Sequence, residues 1–165
     1  DDGYYLDLEA GWNFISTPSV LSGGQTVRSI FGDINTAGHS LYLFRNSSWR
    51  PVSGEDPMIP LRGYWVYSSG RDAVRLNPDP GTIPAPVPLQ AGWNAIGYPG
   101  IQQASAHDAL SSLGDAWSFV IGFDASVQMY EEPIRRDGGG SEFLYPSRGY
   151  WVYADRDWAL QPVTG

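Results

Sequence analysis

The sequence predicts a mainly β protein with one short helix per repeat (α+β), in which two tandem homologous β-sheet modules pack as a pseudo-twofold pair. Three observations carry that expectation. The hexapeptide Arg62-Gly63-Tyr64-Trp65-Val66-Tyr67 recurs letter for letter as Arg148-Gly149-Tyr150-Trp151-Val152-Tyr153. Upstream of each copy, Leu8-Glu9-Ala10-Gly11-Trp12-Asn13 matches Leu89-Gln90-Ala91-Gly92-Trp93-Asn94, a constant shift of 81 positions. The composition suits sheets, with ten Tyr and seven Trp against two Met, and 20 Gly and 13 Pro to turn the chain.

The elements follow in order. Tyr4, Leu6 and Leu8 alternate with Tyr5, Asp7 and Glu9, as in an edge-like strand. Gly11 interrupts, and Trp12, Phe14 and Ile15 resume the strand until Pro18 ends it. Thr26 caps a short helix through Val27, Ile30 and Phe31 that stops at Gly32. Leu41 to Phe44 form a strand, Arg45 to Ser48 a hairpin turn, and Trp49 to Val52 its return. The hexapeptide strand has two apolar faces, Tyr64 with Val66 and Trp65 with Tyr67, which suits a central strand covered on both sides. Residues 73–76 make the last strand of this copy. The second copy repeats the plan, with Ser105 as helix cap, Asp108 as its capping-box partner and Gly114 as stop. Phe119, Ile121 and Phe123 alternate as a strand, residues 127–130 return, and the hexapeptide and residues 158–160 close the unit.

The modules are predicted at residues 1–76 and 89–165, joined by a stiff linker at 77–88 with five prolines. The second copy is longer by five residues. The excess falls in residues 131–147, a place where duplicated scaffolds diverge in function.

Charge and missing residue types exclude several chemistries. Eighteen acidic residues oppose ten arginines, a net charge of −8, so neither nucleic acid nor an anionic membrane is an expected partner. Lysine is absent, which removes Schiff-base chemistry and a phosphate-loop lysine. Cysteine is absent too, and with it disulfides and thiolate metal sites. No apolar run approaches membrane-span length. The opening Asp1-Asp2 fits a mature secreted product or an excised piece of a larger protein. One sequon, Asn46-Ser47-Ser48, lies in the hairpin turn.

Gly-Trp-Asn followed some fifty residues later by Gly-Tyr-Trp-Val resembles the repeated modules of large secreted and surface-layer-associated proteins of archaea and bacteria, over nearly the whole chain and twice. The resemblance implies an extracellular, cell-surface location and a structural, adhesive or filament-forming role. It supplies no catalytic or binding residue.

Among individual residues, the duplicated Trp12, Trp93, Trp65 and Trp151 are expected to pack the repeat core, and Asn13 and Asn94 to clamp a neighbouring loop. Trp49 and Trp117 are not duplicated, which makes them the candidate ligand surface. Asp33 and Asp115 fit turn chemistry, and a triad of Asp33, His39 and Ser40 lacks any nucleophile motif. Glu131, Glu132 and Glu142 read as solvated loop charge, and Gly138-Gly139-Gly140 as a mobile tip. The expected activity is therefore non-catalytic, with no metal and no cofactor: a structural or adhesive unit of a surface assembly or filament, self-associating or bound to other subunits. Strand-edge pairing through Tyr4, Leu6 and Leu8 would supply the contact. A carbohydrate-binding accessory module is the alternative, with glycan as partner, and a small hydrolase the remote one.

Overall fold

A computed structural model describes residues 3–23, 25–79, 81–100, 102–138 and 142–162. It is mainly β, as the aromatic and glycine content implies. The first module runs β1 (Tyr4–Leu8), β2 (Gly11–Ile15), α1 (Val27–Phe31), β3 (Tyr42–Arg45), β4 (Ser48–Pro51), β5 (Tyr64–Ser68) and β6 (Asp72–Leu76). The second runs β7 (Val87–Leu89), β8 (Gly92–Gly97), β9 (Ala104–Ser105), α2 (Ala106–Ala109), a 3-10 turn at Ser111–Leu113, β10 (Trp117–Asp124), β11 (Met129–Tyr130), β12 (Ile134–Arg135), β13 (Phe143–Leu144), β14 (Gly149–Ala154) and β15 (Trp158–Leu160).

The sheets repeat one another. In the first module the order is β2-β5-β3-β4, all antiparallel; in the second it is β8-β14-β10, with β11 and β12 side by side along β10. The hexapeptide strands β5 and β14 are central in both. A two-stranded ribbon, β1 with β6 or β7 with β15, packs against the inner face of each sheet together with the helical turn. The burial alternation of β5 shows why: Tyr64, Val66 and Ser68 point inward, Trp65 and Tyr67 outward.

A pseudo-twofold axis relates the modules, and the backbone itself crosses it. Ile15, at the end of β2, bridges to Arg148, and its counterpart Ile96 bridges to Arg62. Likewise the Ser16 amide donates to the Ser147 carbonyl and the Gly97 amide to the Leu61 carbonyl, each at 2.9 Å. Leu61 and Ser147 share a left-handed φ, 66° and 67°, which turns each carbonyl toward the other module. β2, β5, β8 and β14 thus close a ring of neighbours, and the halves join by main-chain pairing.

Several local expectations change. The complete capping box lies in the first copy, where Thr26 and Ser29 exchange side-chain and backbone bonds. In the second, the Ser105 hydroxyl accepts from the Asp108 amide, with no reciprocal bond from the Asp108 side chain. The linker is shorter than its prolines suggest. The Ser22 amide donates to Asn77 and the Asp79 amide to Val20, which pins its start to the first module, while Val87 and Pro88 already belong to β7. Residues 131–147 are no simple loop, since β12 extends the sheet and β13 pairs with β9. Gly139 and Gly140, the core of the expected mobile tip, lie outside the described residues.

The candidate assembly strand pairs on one side within its own module, in a two-stranded ribbon that leaves its other edge without a strand partner among the described residues. β1 is paired along its whole length with β6, and Leu6 and Leu8 are buried in the first core. Tyr4 packs against that core and shares a hydroxyl contact with Thr17 at 3.3 Å. Donating this strand to a neighbour would empty its own module of two core leucines, because period-2 alternation that reads as an edge equally describes a strand lying on a core.

Candidate ligand-binding seam

Outward residues of the two central sheets meet across the axis, and nearly all are aromatic. Phe14 stacks on Trp65 at 4.4 Å with rings 4° from parallel, and lies 5.6 Å from Trp151. On one side Trp65 meets Phe123 edge-on at 4.9 Å, with Tyr130 at 6.3 Å; on the other Trp151 meets Phe44 at 4.9 Å and Trp49 at 5.6 Å. Register explains the symmetry. Phe44 faces Trp49 across the first hairpin and Phe123 faces Tyr130 across the second, so each module extends one aromatic pair over the other's hexapeptide tryptophan.

Two grooves flank this seam, each with a cavity volume of about 590 Å³. Trp12, Tyr42, Trp49, Trp65 and Phe123 line the first; Phe44, Trp93, Ile121, Pro133 and Trp151 line the second. Tyr130 lies between them and lines both. Trp49, Trp93 and Tyr130 are 46%, 43% and 54% exposed, so their rings are available to a ligand.

Polar groups distinguish the grooves. In the second, the Trp151 Nε1–H donates to the Tyr130 hydroxyl at 3.2 Å. In the first, the residue matching Tyr130 is Trp49, which offers no oxygen, and the Trp65 Nε1–H is buried without an acceptor. A buried donor left unpaired is costly.

The duplicated tryptophans therefore do not pack the repeat core. Neither hydrophobic core contains Trp12, Trp65, Trp93 or Trp151. The cores are filled instead by the opposite faces of the same strands, Tyr64 and Val66 or Tyr150 and Val152. Trp117 is corrected in the other sense: at 1% exposure it is core, and it cannot serve a ligand. Trp49 does lie on the surface. Asn13 and Asn94 each hold the turn before their strand, Asn13 accepting from the Glu9 amide and donating to its carbonyl, Asn94 doing the same with Gln90. Asp115 pairs with Arg156 at 2.7 Å, and that hydrogen bond and charge lower its pKa.

Tyr64 and Tyr150 are clamps of a second kind. Their hydroxyls accept the amides of Ile59 and Tyr145, each at 2.8 Å. Burial pushes the Tyr150 pKa from 10.0 up to about 12, and the Tyr64 pKa in the same direction.

Among the described residues, neither the Asp33, His39 and Ser40 triad nor a Glu131 carboxylate pair forms. The His39 ring packs 5.1 Å from Trp12 and 4.5 Å from Tyr67, and no hydrogen bond joins it to Asp33 or Ser40 among the described residues. Glu131 is paired with Arg148 rather than with a second carboxylate. Among the described residues no group of three or more His, Asp or Glu is placed to hold a metal, and no helix is long and apolar enough to cross a membrane.

Sequence reasoning missed Tyr130, Phe44 and Phe123. The signal lay in the alternation of Phe119, Ile121 and Phe123, which fixes one aromatic face, though not what that face meets. No family model, curated protein or solved structure matches the chain.

Proposed function

We propose that the chain is a non-catalytic, extracellular adhesive module that binds a saccharide chain along its aromatic seam. The observation that carries the reading is the first groove, walled by the exposed Trp49 ring, the half-buried Trp12 ring and Trp65. Flat apolar walls suit the C–H faces of a sugar ring. Two grooves joined at Tyr130 suit an extended ligand over a compact one. A filament assembled by pairing at the open edge of the first strand is the second reading; it leaves Leu6 and Leu8 in their own core, which donation of the whole strand would not.

An oligosaccharide array followed by tryptophan-fluorescence titration tests this. A bound glycan should quench fluorescence, and Trp49→Ala should weaken it about tenfold or more, the cost of truncating an aromatic anchor. An array with no glycan above background, or Trp49→Ala and Trp93→Ala variants that bind like the parent, would overturn it.

A further inference from the structure

Arg62 and Arg148 hold the same place in the two hexapeptides, yet the charge around them is opposite. Strand register fixes the correspondence. Leu43 pairs with Tyr64 and Gly122 with Tyr150, so Arg45, two residues beyond Leu43, matches Asp124. Across the hairpin Leu43 faces Arg50, while the Glu131 amide donates to the Gly122 carbonyl at 2.8 Å, so Arg50 matches Glu131. Where the second module has two carboxylates, the first has two guanidiniums.

The second arrangement is internally satisfied. Arg148 Nη2 donates to Glu131 Oε1 at 2.8 Å and to the Phe123 carbonyl at 2.6 Å. Asp124 is held below the usual carboxylate range, first by the Ser126 hydroxyl and further by the Arg148 charge. In the first module Arg45, Arg50 and Arg62 make no ion pair with another described residue. Burial, then repulsion from Arg45, pushes the Arg62 pKa down. A cavity of about 400 Å³ opens beside Arg45 and Arg50, and another of about 340 Å³ beside Arg45 and Arg62. Asp56 is the one carboxylate among their lining residues, and it accepts the Ser53 amide at 3.2 Å.

We propose that Arg45, Arg50 and Arg62 form a binding site for a carboxylate, which plays toward Arg62 the part that the Glu131 carboxylate plays toward Arg148 in the second module. Guanidinium forks match a carboxylate in two-point geometry, and in a chain of net charge −8 three neighbouring arginines with Asp56 as the one carboxylate beside them, and no ion pair to it, call for an anion. Arg45 and Arg50 share the Leu43 face of the hairpin, opposite Phe44 and Trp49, so the site is separate from the aromatic seam and does not depend on it. The carboxylate belongs either to a free organic acid or to a uronic acid within a saccharide.

The test is an NMR titration of the arginine Nε–Hε resonances with citrate and, separately, with oligogalacturonate. Resonances of Arg45, Arg50 and Arg62 should move together while those of Arg71 and Arg156 stay. Saturation by citrate would assign a free acid, and saturation by oligogalacturonate alone a saccharide-borne one. Arg50→Glu should weaken binding about tenfold or more, the worth of one charge-assisted hydrogen bond, and should raise the thermal midpoint without ligand by giving Arg62 the counterpart of the Arg148–Glu131 pair. Arg45→Gln, which adds no carboxylate, provides the same loss of binding without the new ion pair. Uniform movement of all arginines, no movement with either probe, or binding unchanged in both variants would overturn the proposal.

Discussion

Phe14 and Ala95 occupy the same position in β2 and β8, each facing the tryptophan of its own hexapeptide strand, Trp65 and Trp151. One carries a phenyl ring to the axis and the other a single methyl group. Near a twofold axis a residue meets its own counterpart, and two phenylalanines would compete for one space. Both hexapeptide glycines leave room for the same ring. A Cβ on Gly63 would lie 2.5 Å from Phe14 Cε1, and one on Gly149 2.5 Å from Phe14 Cδ1. The Ser16 and Gly97 pair repeats the rule, since a Cβ on Gly97 would sit 2.5 Å from that of Ser16. Duplication supplied two equal halves, and packing at their junction required them to differ.

The largest expected effect breaks that complementarity. Phe14→Ala should cost about 3–5 kcal/mol, the usual range for removing a buried phenyl ring, read from the urea midpoint. Ala95→Phe alone should overpack the axis and cost about 1–3 kcal/mol. Made together, the two substitutions move the ring from one half to the other, where it can lie against Trp151, and the double variant should be more stable than Phe14→Ala. A double variant whose losses simply add would show that the ring is tied to one module and is not interchangeable across the axis.

A middle-sized effect probes what the halves share. Tyr64→Phe and Tyr150→Phe each remove the acceptor of a loop amide and should cost about 1 kcal/mol apiece. The pH dependence follows from the raised pKa. Because the folded state disfavours the Tyr150 phenolate, stability is fully present below the ordinary tyrosine value near 10 and is lost as pH rises through about 12. Tyr150→Phe should flatten that alkaline decline, measured by midpoints across the interval. An unchanged slope would show that Tyr150 is not the group responsible.

How far the sequence revealed these features depended on whether they are local. The strands, the Thr26 cap, the Asn46-Ser47 hairpin and the asparagine turn clamps all follow from neighbouring residues, and duplication doubled the signal. Which face of a strand is core was not legible. Trp65 and Val66 are equally apolar, and only tertiary placement sends Val66 inward and Trp65 to the seam. Trp117 misled for a related reason: lack of a duplicate suggested surface, yet a residue peculiar to one copy can fill that copy's core. The exchange of Asp124 and Glu131 for Arg45 and Arg50 was hidden by unequal hairpins, because the two-residue turn of the first module and the longer one of the second break the alignment that register restores.

The smallest expected effect lies at the hairpin tips, where the same reciprocal contact is made well once and poorly once. Gln128, at the second tip, accepts from the Trp12 amide and donates to the Trp12 carbonyl, both at 2.7 Å, holding the first module's β1–β2 turn with two bonds. Its counterpart runs from Asn46 and Ser47 to Gln90, with both contacts stretched to 3.4 Å. All of these groups are exposed, so water replaces what is lost. Gln128→Ala should therefore cost about 0.5–1.5 kcal/mol, and Gln90→Ala should stay within about 0.5 kcal/mol of the parent. Hydrogen exchange at the Trp12 amide gives the sharper reading. It should quicken in Gln128→Ala and keep its rate in Gln90→Ala, whereas equal changes in the two variants would mean that the tips contribute alike and that the asymmetry is confined to the axis.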